Sequence, residues 1–164
     1  TVFADPEQSI LTAQDVDHFS GLHFYKIDES YKVRAVFTPI EGEEFQMKTS
    51  TDRLPVYKPY GKANFMLNGA EHSLTLYQNV EYSKNPEHSD ALFLPFTDLS
   101  SGDESYGGGR YLDLSTHDLE NLVIDFNLCY NPYCAYNNRF SCPIPPAENH
   151  LVTAVRAGVK KWHD

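Results

Sequence analysis

Apolar and polar residues alternate along much of the chain, and this pattern predicts β-strands rather than long helices. Between Tyr31 and Phe37 every second side chain is apolar, as in a strand with one buried face. Two further alternating runs flank Asn68-Gly69, the dipeptide that tight hairpin turns prefer. The sequence therefore predicts a β-hairpin centred on this dipeptide.

Five other segments have the apolar character of strands: Leu22–Ile27, Leu92–Phe96, Arg110–Leu114, Leu122–Phe126 and Leu151–Ala157. Pro95 predicts an edge or bulged strand, because proline has no N–H to donate to a sheet. Residues 49–60, rich in proline and threonine, are predicted to cross between sheets. Roughly nine strands in all predict a mainly β fold, an antiparallel β-sandwich or flattened barrel.

One short helix is predicted near the N-terminus. Thr12 followed by Asp15 resembles a capping box, so the helix is expected to begin there, to continue to about Phe19 and to stop at Gly21. The sequence contains no heptads, no internal repeat and no long helical pattern. The helix is therefore an addition to a β fold.

The composition is that of an acidic, aromatic-rich globular protein. The 164 residues predict a single domain over residues 1–164, and the net charge is −10. This charge disfavours nucleic-acid binding, since nucleic acids are bound by basic faces. Hydrophobic residues make up 41% of the chain, enough for a core, yet no apolar run approaches the ~20 residues of a membrane-spanning helix. The expected partner is a small molecule.

A run of three glycines precedes Arg110. It enters a predicted strand rather than a helix and lacks the Gly-Lys-Ser/Thr of a phosphate loop, so a bulge or a close backbone approach explains it better. Arg110 itself, beside Tyr111 and Asp113, has two interpretations. It is either a buried fork that holds a carboxylate or an anchor for a ligand.

Residues 127–149 contain the densest set of asparagines, tyrosines and prolines. Such a loop is either a rigid structural brace or a binding site on a rigid scaffold. As a site it would stack a ligand on Tyr133 and Tyr136 and orient it through Asn131 and Asn149, which suits a neutral sugar or a cationic group better than a phosphate. The candidate ligand-binding residues are Arg110, Tyr111, Asn127, Asn131, Tyr133, Cys134, Tyr136, Glu148 and Asn149.

Three cysteines, Cys129, Cys134 and Cys142, leave three chemical alternatives open. In an exported protein a Cys134–Cys142 disulfide would close a short loop, whereas in the cytoplasm all three would be buried thiols. A zinc site with His150 is disfavoured by the irregular spacing, and no cofactor is expected. The alternative function is a hydrolase that uses Cys134 as nucleophile, with Glu148 or His150 as base, or that uses a metal held by cysteine and histidine.

A third function hypothesis is a purely structural module. It predicts that every polar atom of the 127–149 loop is paired inside the protein and that no pocket is open. The geometry of this loop therefore tests the structural hypothesis.

Several motifs resemble the bacterial and archaeal family catalogued as domain of unknown function 1684. The resemblance runs from about Phe3 to Lys161, and its tyrosine–cysteine–proline block is highly specific. The motifs are Phe3-Ala-Asp-Pro6, Phe93-Leu-Pro-Phe-Thr-Asp98, Gly109-Arg-Tyr-Leu-Asp113, Asp125-Phe-Asn127, Asn131-Pro-Tyr-Cys-Ala-Tyr-Asn137, Cys142-Pro-Ile-Pro-Pro146 and Glu148-Asn149.

The resemblance implies one compact domain but lends no activity, substrate or catalytic residue. Relatives often carry an upstream signal or lipid-attachment segment, which implies the periplasm or cell envelope, with the cytoplasm as the alternative. Two positions depart from the family pattern. Val159 stands where many relatives have glutamate, and Cys129 stands where a small apolar residue is expected, so the resemblance favours Cys134 and Cys142 as the paired cysteines.

Overall fold

The computed structural model describes residue 3 and residues 9–162. Seven strands form one antiparallel sheet in the order β6-β5-β4-β3-β1-β7, with β2 paired to β3, and the sheet curls into a half-barrel. The strands are β1 Lys32–Pro39, β2 Phe45–Gln46, β3 Val56–Leu67, β4 Ala70–Asn79, β5 Ala91–Phe96, β6 Arg110–Ser115 and β7 Val123–Asp125. The mainly β, antiparallel prediction is confirmed, with seven strands among the described residues rather than about nine.

Two short α-helices and several 3-10 turns accompany the sheet. The predicted N-terminal helix is present as α1, Ala13–Asp17, and the Thr12 hydroxyl accepts a hydrogen bond from the Asp15 N–H at its start. The second helix, α2, spans Val80–Ser83. The 3-10 helices are Glu29–Tyr31, Thr116–Asn121, Phe126–Leu128, Tyr133–Ala135 and Ala147–Asn149.

The central hairpin forms because its turn residues tolerate a left-handed backbone. Asn68 and Gly69 have φ angles of 51° and 81°, the conformation of the mirror-image turn that matches strand twist. On either side of the turn, Ala63 pairs with Leu74 across β3 and β4. The hairpin prediction is confirmed.

The core lies on one face of the sheet. Alternate residues of β5, Leu92, Leu94 and Phe96, point into it, because successive side chains of a strand face opposite ways. The C-terminal segment covers this face, with Val155 fully buried. Phe93, on the other face of the same strand, packs in a separate small cluster.

Two predicted strands are absent. Leu22–Ile27 makes a single bridge, Phe24 to Val159. Leu151–Ala157 is irregular. Its backbone shares hydrogen bonds with Thr97 and Leu99, just after β5. At Val155 side chains take over: the Val155 N–H donates to Asp98 and its carbonyl accepts from Arg110.

One other prediction about the sheet was wrong, and of the two alternatives for the strand of Pro95 one is excluded. Residues 49–60 do not cross between sheets, since there is one sheet and β3 begins at Val56. Pro95 is not on an edge strand, because β5 lies between β4 and β6. The β4–β5 pairing is limited to Tyr77 and Phe93, and beyond it a side chain, that of Asn149, joins the two strands.

Candidate functional site

An open pocket with a cavity of about 340 Å³ lies on the face of the sheet opposite the core. That volume is within the range of small-molecule sites. Six aromatic rings form most of its wall, and none of its lining side chains carries a formal charge. The lining residues are Tyr57, Phe93, Tyr111, Tyr130, Asn131, Pro132, Tyr133, Phe140, Ser141, Cys142 and Pro143.

The floor of the pocket comes from three strands of the sheet. Tyr57, Phe93 and Tyr111 belong to β3, β5 and β6. The Phe93 and Tyr111 rings meet edge to face with centroids 4.7 Å apart, and Tyr57 lies tilted against Phe93 at 5.7 Å. These contacts hold the rings in fixed orientations, so the floor exists without a ligand.

The far wall comes from the loop that spans residues 130–143, which is tied to the sheet by Tyr111. The Tyr111 N–H donates to the Tyr130 carbonyl at 2.8 Å, and the Tyr130 N–H donates back at 3.0 Å. The Tyr111 hydroxyl donates to the Pro143 carbonyl. Strand β6 thus anchors both ends of the loop, as expected for a braced loop on a rigid scaffold.

Asn131 supplies the one buried, unpaired side-chain polar atom in the pocket wall among the described residues. It is 2% exposed, and its Nδ2 donates to the Tyr136 hydroxyl and to the Lys160 carbonyl, both at 3.2 Å. Its Oδ1 has no hydrogen-bond partner. An unpaired buried carbonyl is costly, and this oxygen has almost no accessible surface.

A carboxylate stands at the rim of the pocket. The Tyr130 hydroxyl donates to both oxygens of Asp113 at 2.8 Å. Burial, and then the Asp113 charge, raise the pKa of Tyr130. The pocket is therefore aromatic and neutral inside, with one negative charge at its edge.

Cys134 and Cys142 lie together beside the pocket, and Cys142 forms part of its wall. All three cysteines are free thiols, and Cys134 and Cys142 influence each other's pKa. The Cys134 N–H also donates to the Cys142 sulfur at 3.2 Å, and the Tyr106 hydroxyl lies 3.7 Å from the Cys134 sulfur. The predicted disulfide between this pair stays a prediction.

The hydrolase hypothesis predicts Glu148 or His150 as the base beside Cys134, but both side chains interact with other residues. The Glu148 carboxylate accepts a hydrogen bond from the Tyr77 hydroxyl, and His150 Nδ1 lies 2.8 Å from the Thr97 hydroxyl. The groups that interact with Cys134 come instead from Cys142, Tyr106 and Ser50. In the part of the chain that the structure describes, no group of three or more His, Cys, Asp or Glu side chains is placed to hold a metal.

Of the two interpretations of Arg110, the structure fits the buried fork that holds a carboxylate. It is fully buried, and it donates to Asp98 Oδ1 at 3.4 Å and to the carbonyls of Val155, Ala157 and Val159. The carboxylate that it holds is therefore Asp98. Its contacts position the C-terminal segment and lie outside the aromatic pocket.

The other candidate residues of the loop are also engaged away from the pocket. Asn149 is fully buried between β4 and β5. Asn127 hydrogen-bonds the backbone of Asp28. The Tyr136 ring packs in a second apolar cluster with Ile10 and Leu11.

Of the residues predicted from the sequence, the pocket brings together Tyr111, Asn131 and Tyr133, with Cys134 at its edge. Tyr57, Phe93 and Phe140 were missed. Tyr57 and Phe93 belong to strands far from the loop in sequence, and only the sheet order brings them to it. Phe140 lies within the predicted loop, where the concentration of aromatic residues was a usable signal.

A curled antiparallel sheet with an aromatic pocket and an adjacent thiol pair defines a small mainly β protein. The chain belongs to the family described as Protein of unknown function (DUF1684), whose model matches residues 17–160. It is 37% identical to an uncharacterized protein of Haloarcula marismortui with a solution NMR structure, at a TM-score of 0.75, over 98% of this chain and 86% of that one. No curated protein is significantly similar to the chain.

Proposed function

We propose that the protein binds a small molecule in the aromatic pocket. The observation that carries this proposal is the open, preformed cavity walled by six aromatic rings. A purely structural loop is expected to leave no cavity. The open cavity supports the binding hypothesis over the structural one.

The pocket fits a neutral sugar or a cationic organic group. Rings such as Tyr111 and Tyr130, whose planes are perpendicular, offer both faces and edges to a ligand. A sugar ring would stack on these faces, while a cation would gain from the ring faces and from the Asp113 carboxylate. A phosphate would gain nothing from that carboxylate.

Tyr133 offers the cleanest test, because its ring lines the pocket while 46% of the residue is exposed. We expect ligand-observed NMR to detect binding of a methyl glycoside or of tetramethylammonium at millimolar concentration. Tyr133→Ala should weaken that binding about tenfold, the loss of one stacking contact. Tyr82→Ala, at an exposed tyrosine on α2 outside the pocket lining, is the matched control and should bind as the parent does.

Asp113→Asn separates the two ligand classes. It removes the charge and keeps a side chain of the same size, so it should weaken tetramethylammonium and leave the glycoside unaffected. Absence of binding by both probes would contradict the proposal, as would binding that survives Tyr133→Ala. A location in the cell envelope is a separate proposal, which fractionation of cells that express the complete gene would test.

A further inference from the structure

Cys134 and Cys142 differ in exposure and in chemical surroundings. Cys134 is partly exposed, whereas Cys142 is buried at 7% exposure. Cys142 is held in register by Ser50, whose N–H donates to the Cys142 carbonyl at 3.0 Å and whose hydroxyl accepts from the Cys142 N–H at 3.1 Å. Cys134 is therefore the more exposed residue of the pair, and its N–H donates to the Cys142 sulfur at 3.2 Å.

The surroundings of Cys134 favour the ionised form of its thiol. The Tyr106 hydroxyl lies 3.7 Å from the Cys134 sulfur. The Cys142 thiol, and to a smaller extent the hydroxyls of Tyr106 and Ser50, lower the pKa of Cys134 to about 6. The same interaction raises the pKa of Cys142.

We propose that Cys134 and Cys142 form a reactive dithiol that reduces low-molecular-weight disulfides, with Cys134 as the attacking and Cys142 as the resolving residue. This activity lies beyond the proposed ligand binding and does not depend on it. A static structural disulfide would require neither a partly exposed cysteine nor a hydroxyl such as that of Tyr106 beside its sulfur. Reactive cysteines, in contrast, are partly exposed and surrounded by groups that stabilise the thiolate.

The reaction balances in two exchange steps. The Cys134 thiolate attacks one sulfur of the small disulfide, forms a mixed disulfide and releases one thiolate. The Cys142 thiol then gives up its proton and attacks the Cys134 sulfur, which releases the second thiolate and closes the Cys134–Cys142 disulfide. The protein loses two electrons and the one proton of Cys142, and the small disulfide becomes two thiolates. One of them takes up that proton, and the other is protonated from water.

Equilibration in glutathione buffers tests the proposal on the unmodified protein. Between reducing and oxidising mixtures, the denatured mass should fall by two hydrogen atoms, and peptide mapping should place the bond between Cys134 and Cys142. A labile pair changes state within this range, whereas a structural disulfide resists reduction. A pair that stays reduced in every mixture would overturn the proposal, and so would one that stays oxidised.

Trapping the intermediate assigns the two roles. Cys142→Ser keeps a hydrogen-bond donor but cannot resolve, so it should accumulate one glutathione on Cys134. Cys134→Ser should not accumulate a glutathione adduct on Cys142 at a comparable rate. Cys129→Ala is the matched control, because this third thiol is 2% exposed, and it should switch as the parent does. A glutathione adduct on Cys142 in place of Cys134 would refute the assignment.

The alkylation rate supplies an independent readout. At pH 7 a thiol with a pKa near 6 is about 90-fold more ionised than one near 9, while its thiolate is roughly 20-fold less nucleophilic. Iodoacetamide should therefore modify Cys134 about fivefold faster than an ordinary exposed thiol, with a rate that rises through about pH 6. A rate that rises only near pH 9 would contradict the assignment of Cys134 as the attacking residue.

Discussion

Buried polar side chains replace missing strand pairing at two places in this protein. Asp98 and Arg110 take up backbone groups of the irregular C-terminal segment. Asn149 donates from Nδ2 to the carbonyls of Thr75 and Pro95, both at 2.8 Å, and accepts from the Thr75 N–H at 2.9 Å. Pro95 has no N–H to donate to the neighbouring strand. The Asn149 carboxamide donates to the Thr75 carbonyl of β4 in its place.

Asn149→Ala should lower the free energy of unfolding by about 2–4 kcal/mol. The substitution leaves two buried carbonyls and one N–H without these partners, and each unsatisfied group costs about 1–3 kcal/mol before relaxation. Urea denaturation followed by fluorescence measures the loss.

Asn138→Ala provides the matched control, because Asn138 is an exposed asparagine of the same loop. It should change stability by less than about 0.5 kcal/mol. Equal effects of the two substitutions would show that the hydrogen bonds of Asn149 to β4 and β5 do not contribute to the free energy of unfolding.

The backbone at Gly109, which leads into β6, is closely packed, whereas the hairpin turn at Gly69 is open. Gly109 has a φ of 92°, and a Cβ atom there would lie 2.6 Å from the Phe96 carbonyl oxygen and 2.8 Å from Pro145. At Gly69, whose φ is 81°, the same atom would meet nothing within 4 Å. The glycine run thus serves a close backbone approach, as the sequence predicted.

Gly109→Ala should therefore destabilise the protein more than Gly69→Ala. Both substitutions force alanine into a left-handed conformation, at about 1–2 kcal/mol. Only Gly109→Ala adds a collision with backbone, which brings the expected cost to about 3 kcal/mol or more. Thermal unfolding of the two variants compares them directly, and a Gly69 variant as unstable as the Gly109 variant would refute the close-approach explanation.

Five of the eleven tyrosines are buried: Tyr31, Tyr57, Tyr77, Tyr111 and Tyr136. Burial is the largest cause of a raised pKa at Tyr57, Tyr77, Tyr106, Tyr111, Tyr130 and Tyr136. Above the ordinary tyrosine pKa the folded state therefore binds more protons than the unfolded state. Stability contributed by these groups is complete below about pH 10 and is lost as the pH rises beyond it.

The protein should consequently unfold in alkali. The urea midpoint should fall between about pH 9 and about pH 11, and tyrosinate absorbance should increase together with the loss of structure. A urea midpoint that stays constant over this range, or tyrosines that ionise in the folded protein, would contradict the expectation.

None of the described helices is long and apolar enough to cross a membrane. At this level the family, the mainly β class, the hairpin and the acidic, aromatic composition were all predictable from the sequence. Local patterns carry this information, because alternation and turn chemistry depend on residues close together in the chain.

Val159, a departure from the family pattern, is buried, and its carbonyl accepts from Arg110.

The pocket and the absent strands depend on contacts between distant residues. Leu151–Ala157 is apolar enough for a strand, yet Asp98 and Arg110 bind its backbone from 45 or more residues away. Likewise, Tyr57 and Phe93 reach the 130–143 loop only because β3, β5 and β6 share one sheet. Alternation along a strand predicts which side chains share a face, but the order of the strands decides which faces meet.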